Sequence, residues 1–207
     1  SAELLAAALG ADGTILSALA AFHHATVSLG DTRILAASVP DLGVRGFDLF
    51  VPVEAAGELW ARLESAGVVT AGTIAADIAR VEAGRPLWGT DVDENTLGPE
   101  ANLDALGGVS YTKGCYTGQE TIARIHFRGH VNRALRGLRS AAPIPRGTHV
   151  VGADGLPCGD VRSSVVSPIL GPIAIAMLRR EVATGSDVTA RWDGGDAVAR
   201  VSDLPFA

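Results

Sequence analysis

Apolar and polar positions along the chain mark three short stretches near its start, Ala25–Leu29, Thr32–Val39 and Gly46–Val51, as strands with one covered face. Gly30-Asp31 suits a tight hairpin turn between the first two, so the three predict one antiparallel sheet. Ala2–Leu9 reads as a short helix ended by Gly10. After Pro52 the period lengthens. Ala55, Ala56, Leu59, Trp60 and Leu63 recur at three- and four-residue spacing, which predicts a helix ended by Gly67 with Trp60 in the core. A second helix is expected from about Thr73, with Ile74, Ile78 and Val81 on one stripe and Gly84 closing it. Asp93–Gly108 is rich in Gly, Pro, Asn and Asp and predicts a long loop with one short helical turn.

Beyond Gly129 the texture becomes a series of short β-like runs: Ala134–Leu138, His149–Gly152, Val161–Val166, Ile173–Leu178, Val188–Trp192 and Ala197–Val201. Turn signals such as Asp193-Gly194-Gly195-Asp196 separate them. This is the pattern of a small all-β barrel or sandwich. The reading is α+β: an antiparallel sheet with helices over residues 1–130, then a small C-terminal β-barrel over 131–207. No internal repeat or low-complexity tract stands out.

Composition sharpens this only slightly. With 207 residues and 47% hydrophobic content, the chain can bury a core as one large domain or two modest ones. Apolar runs such as Ile169–Leu178 fall short of the ~18–20 residues a membrane-spanning helix needs, and no secretory leader pattern is visible. Cys115 and Cys158 form no CxxC pattern, which leaves the reducing cytoplasm as the default compartment. Charge is more informative. The net charge is −6, yet the six basic residues from Lys113 to Arg139 face a single acid, Glu120, so that segment is +5 and the remainder −11. Such a strip suits an anionic ligand, or else a solvated strand-and-helix face.

Within it lies TKGCYTGQETIARIHFRGH, Thr112 to His130. Thr117 and Glu120 have the S/T-x-x-E spacing of a capping box, so a helix is expected to start there, with Ile122, Ile125 and His126 on a partial stripe and Gly129 as its stop. Cys115 would then sit just before the amino end of that helix, where exposed N–H groups and Lys113 both favour thiolate over thiol. The chemistry open to such a sulfur is nucleophilic, redox or soft-metal binding. The competing reading is a buried, inert cysteine. His126 lies too many turns along the helix to exchange a proton with Cys115, the histidines lack an HExxH arrangement, and neither a P-loop nor a Rossmann glycine pattern occurs.

The stretch KGCYTGQETIAR, Lys113 to Arg124, closely resembles the signature of the YgfZ family of folate-binding proteins, relatives of the glycine-cleavage T-protein, an aminomethyltransferase. About thirty residues upstream, RVEAGRPLWGTD, Arg80 to Asp91, is similar to the R-x-E-x-G-x-P-x-x-G-x-D segment of the wider superfamily. With the β-rich tail, the resemblance covers essentially the whole chain. It implies a partial T-protein-like folate-binding domain followed by the barrel, in a ring-like arrangement around a hole that holds tetrahydrofolate or a derivative. It also implies a further amino-terminal portion, on the order of a hundred residues, that completes the folate-binding domain and in T-proteins supplies the catalytic aspartate.

The residues carried over are Glu82 as the pterin contact, with Arg80 beside it, Tyr116, Gln119 and Arg124 around the ligand, and Cys115 with Lys113 as the reactive pair. A carboxylate suits the pterin because it accepts two parallel hydrogen bonds from the amino group and ring N–H. On a regular helix Arg80 and Glu82 point about 200° apart, which favours Glu82 over Arg80 as ligand contact. Arg124 or Arg128 could meet the glutamate tail of a folate. The resemblance favours a cytoplasmic folate-binding accessory protein for the assembly or maintenance of iron–sulfur enzymes, with a link to tRNA modification. The enzyme alternative is a tetrahydrofolate-dependent aminomethyltransferase of glycine-cleavage type, against which Cys115 counts. An RNA-binding module using Arg133, Arg136 and Arg139 as a phosphate track is the weakest reading, because few aromatic residues are available for stacking.

Overall fold

The computed structural model describes residues 2–10 and 13–206, which divide into two compact units, one up to Ala76 and one from Asp77 on. The first unit holds α1 (Ala2–Leu9), α2 (Gly13–Ala18), a three-stranded antiparallel sheet in the order β1 (His24–Leu29), β2 (Thr32–Val39), β3 (Gly46–Phe50), and α3 (Val53–Ser65). Leu29 pairs with Thr32 across the Gly30-Asp31 turn, and Gly30 takes the positive φ of 58° that such a turn requires. Every second residue of β2 faces inward, and Ile34 and Ala36 pack with Leu5, Leu16, Val27 and Leu59 into one core. Arg45 closes this unit from outside by donating to the carbonyl oxygens of Leu16, Ser17 and Leu19.

The stripe of α3 is narrower than its sequence suggests. Ala55 and Leu59 are buried and Leu63 packs against the same core, while Trp60 is 56% exposed. Trp60 is therefore not a core residue: 100° per residue carries the position after Leu59 off the buried face. α2 had no sequence signal at all. At the unit boundary, α4 (Thr73–Glu82) likewise leaves Ile74 exposed and buries Val81 completely. Among the described residues no helix is long and apolar enough to cross a membrane.

The second unit is α+β as well, and its barrel is closed. Six strands, β4 (Arg133–Ser140), β5 (His149–Val151), β6 (Pro157–Ser167), β7 (Gly171–Arg179), β8 (Asp187–Trp192) and β9 (Gly195–Ser202), pair in the ring β4-β7-β6-β5-β8-β9. All six β-like runs of the sequence are strands here. β7 shows how the barrel is filled. Ala174, Ala176 and Leu178 point into it, beside Val150, Val161, Ala190 and Ala199, whereas Ile173, Ile175 and Met177 point outward and pack with Val81, Leu135 and Phe206. Small residues suit the narrow interior and large ones cover the outside, so β7 is buried on both faces.

This outer core positions the end of α4. The N–H of Phe206 donates to the backbone carbonyl oxygen of Glu82 at 3.0 Å, and Gly84, at φ 65°, lies against Leu204, where a Cβ would come within 2.7 Å of the leucine Cβ. Between Asp93 and Gly108 the chain makes a succession of turns, and α5 (Gln119–Arg128) follows the cysteine segment.

Gly159 in β6 tests the closeness of barrel packing. A Cβ there would collide with the Met177 carbonyl oxygen and come within 2.7 Å of a Leu178 methyl and 3.0 Å of its Cα. Two of those three atoms are backbone and cannot rotate away. Gly159→Ala is expected to cost about 2 kcal/mol or more of stability, read as a lower urea midpoint at unchanged m.

Candidate functional site

The cysteine segment folds differently from a simple capping box. Gly118, in the left-handed region at φ 84°, is the N-cap of α5, and no side chain caps it. Thr117 and Glu120 therefore do not exchange hydrogen bonds with the helix start. The helix begins one residue late because the left-handed turn needs glycine, and the Gln119 side chain reaches back instead, its Oε1 accepting the Tyr116 N–H at 3.3 Å. Gly129 ends the helix as predicted. Ile122 and Ile125 are half-buried, His126 is exposed, and none of the ten residues is fully buried.

Cys115 is exposed, three residues before the cap. Lys113 places its ammonium 5.0 Å from the centre of the Tyr116 ring, a cation–π contact. Tyr116 is half-buried, and its phenolic oxygen is shielded from solvent without a hydrogen-bond partner. Lys113 and Gln119 thus both contact Tyr116, the residue that follows Cys115. Arg124 stands exposed on the middle of α5.

Arg80 and Glu82 occupy different surroundings, as their offset on the helix requires. Arg80 is 8% exposed, and all three nitrogens of its guanidinium donate. Nε donates to Asp77 at 2.8 Å, Nη1 to Asp91 at 2.8 Å and to the Arg85 carbonyl at 2.9 Å, and Nη2 to Ser163 Oγ at 2.8 Å. Asp91 is wholly buried, and the Oδ2 that receives Arg80 also accepts the Leu87 N–H at 2.8 Å. Glu82 contrasts with this. It is half-buried, its side chain has no hydrogen bond or ion pair among the described residues, and its Oε1 is sealed from solvent. A carboxylate oxygen buried without a donor costs on the order of a few kcal/mol unless something supplies one. Glu82 Oε1 and the Tyr116 phenol are thus two buried polar atoms that the protein itself leaves unsatisfied.

A third cluster escaped the sequence reading. Asp104 accepts the Tyr111 hydroxyl at 2.8 Å on each oxygen and shares a 3.2 Å contact with His126 Nδ1, while the Tyr111 and His126 rings stack with centroids 4.1 Å apart. Desolvation, followed by the hydrogen bond and the negative charge of Asp104, pushes the Tyr111 phenol up to about 12. The elements lie 22 positions apart in the chain, so no local spacing announces them.

An α+β unit leading into a closed six-stranded barrel, with a polar segment of glutamate, cysteine and tyrosine between them in sequence, defines a class of fold shared with known proteins. Residues 1–109 match the family described as the GCVT N-terminal domain, and residues 133–207 match the glycine cleavage T-protein C-terminal barrel domain. The chain belongs to the glycine-cleavage T-protein superfamily. It is 35% identical over 194 residues to an aminomethyltransferase of Nostoc sp., covering 92% of this chain and 51% of that protein, and 32% identical over 197 residues to one of Synechococcus sp., covering 94% and 54%. The fold is also that of the glycine cleavage system aminomethyltransferase T from Bartonella henselae, with a TM-score of 0.77 at 24% identity over 100% of this chain and 56% of that one. The chain spans about half the length of the curated relatives it matches.

Two measurements check this geometry. Because Cys158 is 7% exposed and burial raises its thiol above the usual range, iodoacetamide should modify Cys115 alone in the folded protein and both cysteines only after unfolding. In a spectrophotometric titration, the Tyr111 phenolate should appear only near pH 12, and Asp104→Asn should bring it down only part of the way, because burial, the largest cause, persists.

Proposed function

We propose that this chain forms part of a tetrahydrofolate-binding protein of aminomethyltransferase type, with Glu82 as its pterin contact. The observation that carries this reading is the buried, unsatisfied Oε1 of Glu82. The amino group and ring N–H of a pterin are the donors that such a carboxylate lacks, and both would gain charge-assisted hydrogen bonds. Tyr116, whose phenol is also unsatisfied, and Gln119, which holds the Tyr116 backbone, are the further ligand contacts, with Arg124 exposed for the glutamate tail. Arg80, with all three guanidinium nitrogens engaged, serves this site by fixing the segment that carries Glu82. When bound, tetrahydrofolate supplies the nitrogen that carries a one-carbon unit. The names of the Nostoc and Synechococcus relatives, both aminomethyltransferases, favour transfer of such a unit over the other readings.

A second reading has its own support. Cys115 is exposed and flanked by Lys113 and Tyr116 within KGCYTGQETIAR, the segment that resembles the YgfZ signature. On this reading the protein is a folate-binding accessory factor for iron–sulfur enzymes, and Cys115 is its reactive group. Residues 1–130 then act as the folate-binding region and 131–207 as the barrel domain.

Titration calorimetry with tetrahydrofolate tests the shared core of both readings. Glu82→Gln should weaken binding by about tenfold, because the amide offers one acceptor where the carboxylate offers two; affinity within twofold of the parent would refute the assignment. A glycine-cleavage assay with reconstituted partners then separates the readings. Turnover that survives Cys115→Ser supports the transferase, and absent turnover with intact folate binding supports the accessory role.

A further inference from the structure

The basic strip of the sequence becomes, in three dimensions, one wall of a cleft of about 270 Å³ away from Glu82 and Cys115 in the chain. The beginning of β4, the end of β7 with the residue after it, and the last turn of α5 with its following loop enclose it. Four arginines line it, and their charges are unequally compensated. Arg133 is held by both oxygens of the nearly buried Glu100, at 3.1 and 3.2 Å. Arg136 has one long contact, 3.3 Å, to an Asp203 side chain that is 70% exposed, which solvent screens. Arg179 and Arg180 are exposed, and their side chains have no hydrogen bond or ion pair among the described residues.

The one acid lining the cleft, Asp104, is already engaged by Tyr111 and His126. His130 adds an imidazole without a partner among the described residues. Three guanidinium groups beside the paired Arg133 thus line one cleft, although Arg179 also borders the neighbouring cleft at Cys158, and together they give this wall an excess of positive charge. A monocarboxylate would neutralise only part of that charge, whereas a phosphoryl dianion matches both the charge and the fork geometry of arginine. The volume lies just below the ~300–1,000 Å³ of pockets that enclose drug-sized ligands, so the occupant is small.

We propose that this cleft is a binding site for a small phosphate compound, free or esterified, held by Arg136, Arg179, Arg180 and His130 and separate from the folate site.

The test is calorimetry of the folded chain with pyrophosphate, inorganic phosphate and glycerol 3-phosphate at about 150 mM salt, where non-specific attraction is screened. Saturable one-to-one binding is expected. It should fall at least about tenfold in Arg179→Gln/Arg180→Gln and measurably in His130→Asn, while Arg200→Gln, on an exposed pair elsewhere on the barrel, stays within about twofold. Ligand should also shift the ring resonances of His126 and His130. Pyrophosphate and glycerol 3-phosphate respectively represent the free and the esterified source, and tighter binding of either identifies it. The proposal is overturned if no saturable binding occurs, if either variant set matches the parent, or if citrate binds as tightly as pyrophosphate. Displacement of pyrophosphate by tetrahydrofolate, one for one, or preference for single-stranded RNA over every small phosphate, would overturn it equally.

Discussion

The buried guanidinium of Arg80 is the interaction on which the second unit's polar architecture depends. It joins four separate pieces of backbone: the helix that carries it, the turn at Arg85, the buried Asp91 and strand β6 through Ser163. A buried ion pair of this kind adds little net stability, since desolvation offsets most of the attraction, but removing one partner leaves a bare charge in the interior at a cost of about 3–5 kcal/mol. Its value here is positional. Asp77, Arg85 and Asp91 are tied through Arg80 to one another and to Ser163 of the barrel, and Glu82 lies within the span they bracket.

Packing reinforces the polar clamp. Because β7 is buried on both faces, its outward residues Ile173, Ile175 and Met177 require a cover as much as its inward ones do. Val81 and Phe206 provide it. The same tail residue, Phe206, bonds the Glu82 carbonyl, so the side chain of Glu82 is presented by a backbone fixed through hydrocarbon on one side and a hydrogen bond on the other. A sealed, unsatisfied carboxylate oxygen on such a fixed backbone is a cost the fold carries until a donor is supplied.

Strands were the most legible feature of the sequence. Alternation in β2 and the short apolar runs of β4 to β9 each correspond to a strand, because period-two burial is a local property. Helix faces were read less well. Trp60 and Ile74 satisfy the spacing rule and are nonetheless exposed, since a stripe drawn from three- and four-residue spacing is wider than the surface available to cover it. Threonine and glutamate at capping-box spacing were overridden by a left-handed glycine between them. The segments carrying Glu82 and Cys115 were recognisable from their motifs, but the engagement of Arg80 depends on Ser163, and the Asp104, Tyr111 and His126 cluster on a fold-back of the loop. Neither leaves a trace in local spacing.

Closure of the barrel has a bearing on how other proteins can meet this chain. Each of its six strands spends its backbone donors and acceptors on two neighbours, so the barrel has no edge onto which an extended peptide could zip. The sheet of the first unit differs: β1 and β3 flank β2 and each leaves one side of its ladder unmatched by a strand of that sheet. Among the described residues, strand addition is open at β1 and β3, while a partner that meets the closed barrel does so through side chains and loops.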